Sequence, residues 1–218
     1  MRKVLLLCAA LFAMAAGAQQ TPRWLRNSAI SPDGKSIAFT YMGDIFTVDA
    51  TGGSARQITS HDAYDTQPVW SPDSKQIAFA STRNGSMDIY IVSKDGGVPK
   101  RLTTHSTSEK PVAFLNSNEI LYVAAMMPDN QYGEFPNTSQ IYKVSTDGGR
   151  PELFSSEYME SLDINAKGEI LYHDKKGYED QWRKHHRSSI TRDIWRTTVD
   201  GPRKYTKLSS FNGEDRNP

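Results

Sequence analysis

The chain has 218 residues, with 26 Lys and Arg against 25 Asp and Glu and a formal net charge of +1, which excludes a global charge field that would drive it onto nucleic acid or an anionic membrane. Its 37% hydrophobic and 10% aromatic residues make it too polar for a multispanning membrane protein and too aromatic for a disordered one. The single cysteine, Cys8, excludes a disulfide framework and a thiolate zinc site.

The N-terminus has the three-part layout of a secretory signal peptide. Arg2 and Lys3 precede a 13-residue apolar run, and Ala16 and Ala18 place small residues at the −3 and −1 positions of a cleavage site. The run is too short to span a bilayer comfortably, so an uncleaved anchor is the weaker alternative. We expect residues 1–18 to be removed, with no membrane insertion afterwards. Export without cysteines predicts a periplasmic location, or secretion beyond it.

From residue 19 onward the sequence repeats itself. The stretch 29–39, which contains Ser-Pro-Asp-Gly, recurs as 69–79 at an offset of 40 residues, and weaker copies occupy 113–122 and 163–172. Pro and Gly in this motif are turn residues, and the residues after it alternate as in a strand. A second repeated half-unit ends in a Gly-containing turn and a short closing strand. Its four copies are 44–49, 88–93, 140–145 and 193–198.

Each unit therefore predicts four short strands. Four strands every ~40–50 residues, with turn motifs in fixed places, are typical of propeller blades, whereas a β-sandwich is the alternative. We predict an all-β protein, a β-propeller of four-stranded antiparallel blades, within residues 19–218. The predicted units are 24–60, 61–104, 105–156 and 157–210, with 211–218 starting a fifth.

The start of a fifth unit predicts that residues 19–218 are an incomplete propeller. We expect four complete blades and a truncated fifth, as part of a six- or seven-bladed ring in a longer protein. An open propeller leaves strand edges unpaired, and such edges favour association, so a homo-oligomer is a further expectation.

Two loops break the repeat, both between the second and third strands of a unit. They are residues 126–138 in the third unit and 175–189 in the fourth, and function in a propeller usually resides in such loops. They are either plain surface loops or a binding surface that combines aromatic and basic side chains. The candidate binding residues are Tyr132, Arg183, Lys184, His185, His186 and Arg187.

Other candidate chemistry is weaker. His185 and His186 are adjacent, so on a strand they point to opposite faces, and no third ligand is obvious. We predict no metal and no cofactor. Asp44, Asp88 and Asp193 recur at one position of the unit, which indicates a structural role, through hydrogen bonds to turn amides.

The repeat resembles the bacterial WD-like repeat of TolB, of tricorn-type peptidases and of prolyl-oligopeptidase relatives. Trp182–Arg187 followed by Thr191–Trp195 resembles the first propeller of tricorn-type serine peptidases, particularly the exported bacterial homologues. Residues 131–137 and 211–218 strengthen this resemblance. It implies a non-catalytic segment of a longer hydrolase, because the family's nucleophilic serine lies in a later core that no position here matches.

The resemblance also implies partners, namely peptide substrates and downstream peptidase domains of the same chain. In that family a basic pair of the first propeller holds the substrate's C-terminal carboxylate, and Arg183, Lys184 and Arg187 are the candidate matches. Solvated loop charges are the alternative for each of them. Two other functions remain open: a TolB-like periplasmic propeller that binds proteins without peptidase activity, and the propeller of a prolyl-oligopeptidase relative.

Overall fold

The computed structural model describes residues 24–126, 139–165, 167–174, 191–200, 203–211 and 213–218. These residues form sixteen strands and no helix, so the described part of the chain contains no helical segment long and apolar enough to cross a membrane. The strands make four sheets of four consecutive antiparallel strands each. This confirms the predicted all-β propeller architecture and excludes the sandwich.

Each blade consists of four strands that follow one another in the chain. Blade 1 contains β1 (Arg26–Ile30), β2 (Ser36–Tyr41), β3 (Asp44–Asp49) and β4 (Arg56–Gln57). Blade 2 contains β5 (Asp65–Trp70), β6 (Gln76–Asn84), β7 (Ser86–Ser93) and β8 (Lys100–Arg101). Blade 3 contains β9 (Lys110–Asn116), β10 (Glu119–Ala124), β11 (Gln140–Ser145) and β12 (Glu152–Ser155). Blade 4 contains β13 (Met159–Ile164), β14 (Glu169–Asp174), β15 (Ile194–Thr198) and β16 (Thr206–Lys207).

The turn between the first two strands of blade 1 is held by its own side chains. The Ser31 hydroxyl donates to Asp33 Oδ1 at 2.6 Å, and Gly34 closes the turn with a φ of +71°. That hydrogen bond holds the pKa of Asp33 below its usual range. Blade 2 repeats the arrangement with Ser71 and Asp73, so the repeated motif forms the same turn twice.

Consecutive blades pack face to face through apolar side chains. Between blades 1 and 2, Ala38 and Ile45 pack against a face of blade 2 that includes Phe79 and Tyr90. The next pair of blades repeats this packing with residues at equivalent positions. Because apolar burial stabilises in proportion to the area removed from water, these seams supply most of the core.

The first strand of each blade lies innermost, where it packs against the first strand of the neighbouring blade. In three blades this strand contains a bulge with one residue at positive φ: Asn27 at 49°, Gln67 at 54° and Ser161 at 47°. Two of the bulged residues make side-chain hydrogen bonds to the residues that follow their blade. Asn27 Nδ2 donates to Thr66 Oγ1 at 2.7 Å, and Ser161 Oγ donates to Asn217 Oδ1 at 2.9 Å.

Candidate functional site

One end of the blades carries both loops that break the repeat. In each blade the start of the first strand lies beside the end of the second. The register shows this in blade 2, where Asp65 pairs with Ser81, and in blade 4, where Met159 pairs with Asp174. The loops between second and third strands therefore emerge at this end, which we call the insert face. In blades 1 and 2 these connections are tight turns, whereas in blades 3 and 4 they are long.

The predicted binding residues belong to these long connections. Tyr132, Arg183, Lys184, His185, His186 and Arg187 all lie outside the described residues. The strand ends that support the connections are described: Ala124 and Gln140 in blade 3, and Asp174 and Ile194 in blade 4. Both connections therefore leave and re-enter the propeller at the insert face, and the residues' role remains a prediction.

The base of the fourth-blade connection is tied down by Asp174. Its carboxylate accepts hydrogen bonds from Asp193 N at 2.8 Å and from Trp195 Nε1 at 3.0 Å. Asp174 ends the strand before the long connection, and Trp195 lies just after it. Both ends of the connection are thus held together by one side chain.

A charged network lies beside this base. Arg192 is only 6% exposed, and it pairs with Glu160 Oε2 at 3.2 Å and with Glu214 Oε1 at 2.8 Å. Glu160 also contacts His173, and Glu214 also contacts Arg216. Burial alone would raise the pKa of Glu214, but hydrogen bonds from Arg192 and Arg216 outweigh it and hold that pKa below its usual range. The network joins blade 4 to residues 213–218.

Four equivalent polar positions recur at the first two seams and at the far side of blade 4, and we call each set a seam quartet. Backbone hydrogen bonds from Asp65, Glu109 and Asp215 to the preceding blade mark the equivalence. The quartets are Asp44, Gln57, Thr59 and Asp65 between blades 1 and 2; Asp88, Arg101, Thr103 and Glu109 between blades 2 and 3; and Asp193, Lys207, Ser209 and Asp215 beyond blade 4.

Of the recurring aspartates, Asp44 and Asp193 accept hydrogen bonds that hold the blade together, whereas Asp88 accepts none of normal geometry from the described residues. Asp44 accepts from Gln57 Nε2 at 2.9 Å, from Thr59 Oγ1 at 3.2 Å and from one loop amide. Asp193 accepts from Ser209 Oγ at 3.0 Å. Side chains of the fourth strand or of the residues after it thus donate to both carboxylates, and the His61 amide also donates to Asp44.

An open cleft of about 440 Å³ lies on the insert face at the seam between blades 1 and 2. It is lined by Trp24, Arg26, Thr40, Met42, Gly43 and Tyr64. The Arg26 guanidinium stands 5.6 Å from the centre of the Trp24 ring, and Met42 is 85% exposed. The cleft offers aromatic and flexible apolar surface next to one cation.

Sequence reasoning missed Glu109, which precedes the first strand of blade 3. Its side chain is fully buried, and burial raises its pKa to about 7. The signal that could have found it is its alignment with Asp65 at the start of the preceding unit. Among the described residues, no group of three or more His, Cys, Asp or Glu side chains could hold a metal ion.

Comparisons with known proteins agree with this architecture. The family described as the tricorn protease N-terminal beta propeller domain matches residues 22–218. "Tricorn protease homolog 1" of Streptomyces coelicolor is 33% identical over 72 residues, which cover 33% of this chain and 7% of that protein.

Two solved structures share the fold. The crystal structure of the tricorn protease matches with a TM-score of 0.65 and 20% identity, over 89% of this chain and 19% of that chain. TolB from Acinetobacter baumannii matches with a TM-score of 0.61 and 18% identity, over 88% of this chain and 45% of that chain. The chain thus spans less than half the length of each of these relatives.

Proposed function

Because the chain belongs to the family of tricorn protease N-terminal β-propellers, we propose that it guides and anchors peptide substrates for a serine peptidase in the same longer protein. The family match over nearly all of residues 19–218 carries this proposal. Under this proposal the propeller contributes no catalytic residue, and it acts in the periplasm after export through the N-terminal signal peptide.

The proposed anchor is the basic stretch of the fourth-blade connection. Arg183, Lys184 and Arg187 supply cations, and a guanidinium binds a carboxylate through two parallel hydrogen bonds. His185, His186 and Tyr132 supply further peptide contacts. Two observations support this placement: both long connections open on the insert face, and Asp174 holds the ends of the basic one together.

Replacement of Arg183 and Lys184 by Ala in the full-length protein tests the anchor. The expected result is a KM about 10- to 100-fold higher for peptides with a free C-terminus, from the loss of charge-assisted hydrogen bonds worth about 1.5–3 kcal/mol. Peptides with an amidated C-terminus should change little. Lys35→Ala is the matched control, because Lys35 is an exposed cation at the opposite end of blade 1.

Equal effects on free and amidated peptides would refute carboxylate anchoring. A serine-directed phosphonate probe separates this result from failure of the peptidase proposal itself. Labelling of the full-length protein supports a peptidase, whereas the absence of both labelling and peptide hydrolysis would leave the TolB-like alternative, a propeller that binds proteins.

A further inference from the structure

The seam between blades 2 and 3 buries two carboxyl groups beside one cation. Asp88 and Glu109 are both fully buried. Arg101 Nη2 lies 2.8 Å from Asp88 Oδ2, without the alignment of a hydrogen bond. Among the residues that the structure describes, neither carboxyl group of this seam accepts a hydrogen bond of normal geometry, and the buried Tyr122 hydroxyl has no hydrogen-bond partner.

The charges of this cluster do not balance when both acids are ionised. Asp88 and Glu109 would carry two negative charges against the single positive charge of Arg101, which leaves one uncompensated charge in a buried site. Such a charge is costly, and a buried group in this position takes up a proton instead. A protonated Glu109 also gains an O–H donor, while both oxygens of Asp88 lack a donor.

Within the described part of the chain, the other elements around Glu109 do not supply a second cation to it. On β10 and β11 the nearby titratable groups are Tyr122 and Tyr142, both with a raised pKa caused first by burial. The Thr103 hydroxyl and the Arg101 guanidinium favour ionised Glu109, whereas Asp88 opposes it. The Thr103 hydroxyl nonetheless makes no hydrogen bond of normal geometry to the Glu109 carboxylate.

On the strands on either side of β9, Asp65 and Glu160 are already paired with cations. On β5, Asp65 pairs with Arg83 at 2.6 Å. On β13, Glu160 pairs with Arg192 and His173. These pairs leave Arg101 as the cation that Glu109 and Asp88 share.

We propose that Glu109 holds a proton that closes the seam between blades 2 and 3, so that this seam opens when the proton is lost. The backbone supports such a switch, because Glu109 N donates to Met87 O of blade 2 at 2.8 Å and so crosses the seam.

The direction of the pH dependence follows from the raised pKa. Burial is the largest cause of this shift, and it raises the pKa of Glu109 to about 7. An acid with a raised pKa in the folded state stabilises that state at low pH. The stabilisation is complete below the pKa of Glu109 in the unfolded chain, about 4.3. It is lost as the pH rises through the pKa in the folded protein, about 7.

Hydrogen exchange of the full-length protein between about pH 5.5 and pH 8.5 tests the switch, with rates corrected for intrinsic exchange. In peptides that cover 105–116, the opening equilibrium constant should rise roughly 10- to 100-fold over this range. Glu109→Gln should abolish the rise, because its amide is a permanent neutral donor. Asp215→Asn is the matched control at the equivalent position after blade 4, and it should leave the rise intact.

A rise that persists in Glu109→Gln, or a wild-type protein without one, overturns the proposal. Infrared spectroscopy with isotope-labelled glutamate gives a second readout that does not depend on the variant's folding. A protonated carboxyl band in the wild type near pH 6, lost with a midpoint near 7, supports the proposal. Its absence near pH 6 overturns it.

Discussion

Loss of either partner of the Asp65–Arg83 ion pair should destabilise the protein far more than loss of both. The Asp65 side chain is fully buried and that of Arg83 is 13% exposed, with Nη2 and Oδ2 2.6 Å apart. The guanidinium also stands 5.7 Å from the Phe79 ring centre and 5.4 Å from that of Tyr90. A single substitution therefore leaves one charge nearly buried without a counter-ion.

The size of the effect follows from that burial. Removal of one partner of a buried ion pair costs about 3–5 kcal/mol, whereas replacement of both by apolar groups is often close to neutral. We expect Asp65→Ala and Arg83→Met each to lower the free energy of unfolding by about 3 kcal/mol or more. The double variant should lose only about 1–2 kcal/mol, since Met still covers the two rings and mainly a cation–π contact is lost.

Equilibrium urea unfolding of the full-length protein, followed by tryptophan fluorescence, measures these free energies. The double-mutant cycle isolates the coupling between the two side chains, which these losses put at about 4 kcal/mol or more. Additive losses in the double variant would show that the two charges act independently. That result would refute the argument that burial makes each partner depend on the other.

Substitutions at two further positions test the seams by the same unfolding measurement. Trp70 Nε1 donates across the first seam to Ala29 O at 3.0 Å, so Trp70→Phe should lower the free energy of unfolding by about 1–3 kcal/mol. Thr103 Oγ1 accepts from the buried Ile89 N at 2.8 Å, so Thr103→Val should cost about 1–3 kcal/mol while Thr103→Ser, which keeps the acceptor, should cost less. If Thr103→Val and Thr103→Ser lowered the free energy of unfolding equally, the hydroxyl would not have this role.

The strand and turn pattern could be predicted because its determinants are local. The Ser31 hydroxyl donates a hydrogen bond to Asp33, two residues away, and Gly34 supplies the positive φ that closes the same turn. Since these residues need no distant partner, their repetition in the second unit predicts the same turn there. The apolar faces could be predicted for a related reason, because alternation along a strand decides which side chains share a face.

The environment of Glu109 could not be predicted in this way. Its surroundings combine Asp88, Arg101 and Tyr122, which lie on three separate strands. Only the packing of blade 3 on blade 2 brings them together. The side-chain donors to Asp44 could not be predicted either, since Gln57 and Thr59 lie 13 and 15 residues away in the sequence and only the pairing of β3 with β4 brings them close.

Because the seam quartets differ from one another, each blade fits only its own neighbour, and the quartets therefore specify the order of the blades. Recombination between repeats that removed blade 2 would set Glu109 against Asp44, Gln57 and Thr59. Two carboxyl groups would then meet in one seam without an arginine, although every strand and turn would remain intact. A repeat protein of this kind can therefore tolerate drift within a blade more readily than the loss or exchange of a whole one, because adjacent blades recognise each other through these few polar positions.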